Sequence, residues 1–161
     1  TLSEHESRVT CANLDPSGHV AISGSNDGTI ALWDVRAGSA GPRWSSRVHE
    51  SSARGVGKSG DVAMTCGDDG AVCCIDLRSY RYEKLRGSDA PRTCVHALAG
   101  GEFLCAGEDG VVELLSVRGV THELQGPSDV GVSAMHVHEA PGTPALRVAL
   151  GHADGSCSIW S

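Results

Sequence analysis

Ser23-Gly24-Ser25-Asn26-Asp27-Gly28 is matched three more times along the chain. The matches are Thr65-Cys66-Gly67-Asp68-Asp69-Gly70, Cys105-Ala106-Gly107-Glu108-Asp109-Gly110 and Leu150-Gly151-His152-Ala153-Asp154-Gly155. Their aspartates are spaced by 42, 40 and 45 residues, and five residues after each terminal glycine comes Trp33, Ile75, Leu115 or Trp160. A single Asp-Gly pair is a weak turn signal, but four in register make an internal repeat. Asp-Gly supplies the positive φ that a two-residue hairpin turn needs. An apolar strand precedes each turn, as in Val20 to Ser23, and another follows, as in Thr29 to Trp33. A third strand lies upstream at Val9 to Leu14, Cys94 to Leu98 and Val132 to Val137. Turn residues join it to the second at Asp15-Pro16-Ser17-Gly18, Lys58-Ser59-Gly60, Gly100-Gly101 and positions 139–144. A more polar fourth strand follows the Trp position, as in Arg43 to Val48. Four strands recurring at roughly 40–45 residues form one propeller blade.

The repeats resemble those of the WD-repeat (WD40) β-propeller family over essentially the whole chain. Trp33-Asp34 is the name-giving dipeptide, and Thr1-Leu2-Ser3-Glu4-His5 is similar to the family's strand ending in Gly-His, with Glu4 in the glycine's place. The resemblance implies a hydrogen-bonded network in each blade among a His, a strand Ser or Thr, the turn Asp and the Trp. In the first repeat these are His5, Ser23, Asp27 and Trp33. The second keeps His49, Thr65 and Asp69 but carries Ile75 for Trp. The third keeps Asp109, with Gly87-Ser88 at Gly-His, Cys105 for Ser/Thr and Leu115 for Trp. The fourth keeps Asp154 and Trp160, with Gly126-Pro127 at Gly-His and Leu150 for Ser/Thr. On this reading the network is complete once and decays along the chain. Blades three and four then rely more on apolar packing, and loss of Asp27 costs more than loss of Asp109.

The fold class expected is all-β: four WD-type four-stranded blades forming part of a β-propeller. The units run approximately 1–36, 37–78, 79–118 and 119–161. A blade buries both faces of its sheet only against neighbours, and rings usually close with four to eight blades. Four units of this type are expected to form an open arc, completed by upstream sequence or another chain. The start at Thr1 rather than Met fits missing upstream sequence.

Composition narrows the function. Thirteen Lys and Arg against twenty Asp and Glu give a net charge of -7, which repels phosphate backbones and argues against direct nucleic-acid contact. Seven cysteines, an odd number without Cys-x-x-Cys, sit mostly in apolar runs. They read as buried thiols in a reducing compartment, cytoplasmic or nuclear. No run reaches the roughly 18 apolar residues of a membrane span.

No catalytic, cofactor or metal site is expected. His136, His138, Glu139 and His152 lack zinc-ligand spacing, and Gly55-Val56-Gly57-Lys58-Ser59 echoes a phosphate loop but reads as a turn. The recurrent aspartates have turn chemistry as their explanation. The expected role is therefore a non-catalytic protein-interaction scaffold within a multiprotein assembly. Two surfaces stand out. The turn end carries Glu4, Glu6, Glu50, Asp68, Asp89, Glu108 and Asp129, an acidic rim suited to basic peptides, or simply solvated loops. The opposite end carries Arg36, Arg78 and Arg118, then Tyr80, Arg81 and Tyr82, residue types enriched at interface hot spots. Trp33-Asp34-Val35-Arg36 also resembles the Trp-Asp-x-Arg box of substrate receptors in cullin-based ubiquitin ligases. The Arg/Tyr stretch leaves open an RNA-associated assembly factor.

Overall fold

The computed structural model describes residues 5–37, 41–125, 130–139 and 146–161. Glu4, Asp129, Gly126-Pro127, Thr1 to Ser3 and most of the expected turn at 139–144 lie outside the described residues. The described chain is all-β, with no helix. The first sheet contains β1 (Val9–Leu14), β2 (Val20–Ser25), β3 (Thr29–Asp34) and β4 (Trp44–Arg47). The second contains β5 (Ala53–Ser59), β6 (Val62–Gly67), β7 (Val72–Asp76) and β8 (Arg81–Arg86). The third contains β9 (Arg92–Ala97), β10 (Phe103–Gly107), β11 (Val111–Ser116) and β12 (Gly119–Gln125). Among the described residues the fourth has three strands, β13 (Val132–Glu139), β14 (Leu146–His152) and β15 (Cys157–Trp160). Every sheet is an antiparallel meander in sequence order, and the innermost strands pack in succession, β1 on β5, β5 on β9 and β9 on β13. The sheets lie one strand out of phase with the sequence units, because the polar strand after the Trp position pairs with the strand before it.

The Asp-Gly turns differ from the two-residue form in a way that gives the aspartate a job. Positive φ falls on the glycines alone, at 85° for Gly28, 69° for Gly70, 77° for Gly110 and 87° for Gly155. Each turn closes with the glycine N–H donating to the carbonyl three residues back, as Gly28 does to Ser25 at 3.1 Å. The aspartate stays at negative φ, and its carboxylate accepts the amide two residues on. These amides belong to Thr29 at 2.8 Å, Ala71 at 3.1 Å, Val111 at 3.1 Å and Ser156 at 2.9 Å. Side-chain capping of this kind fixes a turn without strain on a non-glycine residue.

Alternation along the strands gives each blade an apolar face against its neighbour, and blades two and three one on each side. Ile22, Ile30 and Leu32 of blade one meet Ala53, Val56, Ala63 and Ile75 of blade two. Met64, Cys66 and Val72 meet Val95, Phe103, Cys105 and Leu115. Leu104, Ala106 and Val112 meet Val132, Val137, Val148 and Leu150. The segment Gly55 to Ser59 belongs to strand β5 rather than to a turn. A Cβ at Gly55 would stand 2.8 Å from the Val95 amide nitrogen, and one at Gly57 3.1 Å from that of Ala97. Glycine lets the inner strands of blades two and three touch backbone to backbone.

Each inner strand also slips register once near the Asp-Gly end, between Val9 and Cys11, Ala53 and Gly55, Arg92 and Cys94, and Val132 and Ala134. The residues at the slips are Thr10, Arg54, Thr93 and Ser133. They converge, with Arg8 and Val9, around a cavity of about 300 Å³ at the arc's axis.

Candidate functional site

The blade networks fix where the turn end stands. In blade one, Ser23 Oγ accepts the Trp33 indole N–H at 2.8 Å and lies 2.7 Å from His5 Nε2. Asp27 joins through Thr29, whose hydroxyl donates to its carboxylate at 2.5 Å and lies 2.7 Å from His5 Nδ1. Thr29 is a member that the family resemblance did not name. Burial alone would raise the Asp27 carboxyl, but Thr29, Ser25 and the neighbouring His5 hold it below its ordinary value. In blade two, His49 Nδ1 stands 3.0 Å from Asp69 and Nε2 2.9 Å from the Thr65 hydroxyl. A carboxylate only accepts, so Nδ1 carries the proton. Asp69 is lowered against its burial by the Glu50 and Ala71 amides and by His49.

Blade three adds a buried ion-pair network to its apolar packing. Arg92, 1% exposed, reaches both oxygens of Asp109 at 3.2 Å, and its Nη2 lies 3.8 Å from Glu113. Arg86, on the outer strand β8 of blade two, approaches Glu113 at 2.7 Å across the blade interface. Burial pushes the Glu113 carboxyl upward, with Arg92 and Arg86 opposing. The guanidinium of Arg92 fills the space that the His49 imidazole fills one blade earlier: a Cβ at Gly107 would meet Arg92 Nη1, and one at Gly67 would meet His49 Nδ1. In blade four His152 Nε2 lies 2.8 Å from Ser158, Asp154 accepts the Ser156 hydroxyl at 2.7 Å, and half-buried Trp160 packs on the apolar cluster around Val148 and Leu150.

The residues singled out for contact fall at two ends. At the turn end Glu6, Glu50, Asp68, Asp89 and Glu108 are exposed. The same end holds a cationic centre that sequence reading missed, Arg8 and Arg54, which line one cavity; Arg54 lies 3.6 Å from Asp68 and lines a neighbouring cavity with Glu108. At the other end Asp34 and Asp76 accept the amides of Arg36 and Arg78, at 3.0 and 2.8 Å. That turn chemistry accounts for the Asp of the Trp33-Asp34-Val35-Arg36 box and of its looser counterpart Ile75-Asp76-Leu77-Arg78. The Arg78 side chain pairs with Asp61 at 2.5 Å, and the Arg118 amide donates to Ser116 at 3.2 Å. Tyr80 stacks on Trp44 at 6.3 Å with a φ of 56°, and Tyr82 donates to the Arg47 carbonyl at 3.1 Å. Arg81 is exposed.

The four residues suggestive of metal binding are not brought together. His152 is buried against Ser158, Glu139 accepts the Ala99 amide at 2.9 Å, and His136 lies edge-on to His96 with ring centroids 6.2 Å apart. Among the described residues no group of three or more His, Cys, Asp or Glu is placed to hold a metal ion. All seven cysteines are free thiols. Burial pushes Cys73 up to about 12 and Cys11, Cys74 and Cys94 upward, so these thiols stay protonated and are poor nucleophiles at neutral pH.

Residues 1–34 match the WD domain, G-beta repeat, which supports assignment to the WD-repeat family. Over 88 residues the chain is 33% identical to a Lodderomyces elongisporus protein named Restriction of telomere capping protein 1, covering 48% of this chain and 8% of that protein. It is 26% identical to BEACH domain-containing protein A2 of Arabidopsis thaliana, covering 99% of this chain and 5% of that protein. The chain thus spans less than a tenth of the length of these relatives. Solved structures that share the fold include two designed proteins. The computationally designed Ika4 protein has a TM-score of 0.80 and 19% identity, covering 99% of this chain and 94% of that one. The designed Ika8 protein has a TM-score of 0.76 and 19% identity, covering 99% of this chain and 48% of that one.

Proposed function

We propose that this WD-repeat chain is a non-catalytic interaction platform, one module of a larger multiprotein assembly in the cytoplasm or nucleus, and that partners dock on its Asp-Gly turn end. The observation that carries this reading is the division of labour among the polar residues. The buried and half-buried ones at recurrent positions, His5, Ser23, Asp27, Trp33, His49, Thr65, Asp69 and Asp109, together with Arg92 in the histidine's place, bond one another and hold the turns. The exposed charges of the same end, Glu50, Asp68, Asp89 and Glu108, are left facing solvent on rigid loops. A scaffold that fixes loops and spends no polar group on chemistry suits recognition. The large size of the relatives supports a module within a subunit, and the uniformly free thiols support a reducing compartment.

The acidic rim calls for partners with basic segments. The test is capture from cell extract on the immobilised chain, followed by association kinetics with the purified partner. Asp68→Lys with Glu108→Lys should slow association at low salt. Association equally fast for both proteins from low to physiological salt would contradict docking at the rim.

A further inference from the structure

The four register slips aim Thr10, Arg54, Thr93 and Ser133 at the axis, since a bulge turns its residue out of the regular alternation. Three of the four are hydroxyls with one structural task. Thr10 donates to the carbonyls of Gly24 and, in the next blade, Ala53. Thr93 donates to Ala106 and, in the next blade, Val132 at 2.7 Å. Ser133 donates to Gly151 at 3.0 Å. Blade two breaks the pattern. It carries a guanidinium at the slip, and its contact with blade three is made through Gly55 instead. Arg54 is thus released from bridging blades, and its side chain is 40% exposed at the cavity. Exposed Arg8 reaches the same cavity from the entry to β1.

We propose that Arg8 and Arg54 form an anchor for an anionic side chain, carboxylate or phosphate, in a partner segment whose flanking residues are basic. This rests on the platform reading above and adds the chemistry at its centre. Asp68, 3.6 Å from Arg54, steadies the guanidinium while leaving most of its five N–H donors free for an incoming anion. The flanking basic residues meet Asp68 and Glu108, the carboxylates that stand beside Arg54. Opposite charges set side by side select a register along the segment, which a uniformly acidic surface would not.

The test uses the full 161-residue chain and three fluorescent ten-residue peptides, identical but for a central glutamate, phosphoserine or glutamine between lysines. Fluorescence polarisation should show at least one anionic peptide binding about tenfold or more tighter than the glutamine peptide. Which anionic peptide binds better identifies carboxylate or phosphate as the natural group. Combining Arg8→Gln with Arg54→Thr should erase the difference. Arg54→Thr places at this position the hydroxyl found in the other three blades, so an unchanged circular dichroism spectrum and a melting midpoint no lower than the parent's separate lost binding from lost fold. Equal affinity for all three peptides would overturn the anchor and leave docking at the rim standing. Discrimination that survives in the double variant, or tighter binding of a single-stranded RNA oligonucleotide than of any peptide, would overturn it as well.

Discussion

Arg92 holds Asp109 through two contacts of 3.2 Å, in the place where His49 holds Asp69 one blade earlier. A buried guanidinium has no neutral form to retreat to, so its partner matters more than a histidine's does. The sequence motif ranks Asp27 above Asp109 for stability, and this contact reverses the order. Asp109→Ala leaves Arg92 buried with only Glu113 at 3.8 Å and should cost about 3–5 kcal/mol. Asp27→Ala removes one hydroxyl and one amide partner and should cost about 1–3 kcal/mol. Urea melts of the two variants decide the ranking; a larger loss for Asp27→Ala would refute it.

Arg54→Thr should stabilise the chain by about 0.5–1.5 kcal/mol. The new hydroxyl sits where Thr10 and Thr93 each bridge to the next blade, with the Arg92 carbonyl as its acceptor by the same pattern. Thermal unfolding would reveal the gain, and a lowered midpoint would show that the guanidinium itself has a stabilising role.

Asp15 sets an acid limit. The Val20 and His19 amides, the Ser17 hydroxyl and Lys58 hold its carboxyl down to about 2, against an ordinary value of 3.8. A depressed folded value contributes stability that is fully present above the unfolded value and is lost as pH falls through the folded one. Asp15→Asn should therefore flatten the stability profile between about pH 4 and pH 2. A variant whose acid limb matches the parent's would contradict this.

The two end blades expose apolar side chains, Val9 and Leu14 at 52% and 57% and Ile159 at 74%. Exposed sheet faces of this kind drive association. Light scattering of the 161-residue chain at micromolar concentration should report species larger than its 16.6 kDa. A monodisperse monomer would mean that the arc needs no neighbour.

The hairpins, the strands and the blade order were legible in the sequence because Asp-Gly turns and apolar alternation are local signals. Register was not. The connection before the second strand varies from Leu14–Val20 to Ser59–Val62, so the slips at Thr10, Arg54, Thr93 and Ser133 do not align by counting from the turn aspartate. Arg92 stayed hidden for the same reason. It replaces a histidine in space but occupies a different position in the repeat, inside strand β9 rather than before it. The motif at Gly55 to Ser59 misled because glycines usually mark turns, whereas here they admit a neighbouring backbone.

A carboxylate-reactive cross-linking map tests the docking surface most directly. The captured partner is coupled to the chain, and the modified residues are identified by mass spectrometry. Docking on the turn end predicts cross-links at Glu50, Asp68, Asp89 and Glu108, lost when excess anionic peptide is added. Cross-links concentrated instead at Asp34, Asp61 and Asp76, the opposite end of the blades, would contradict it.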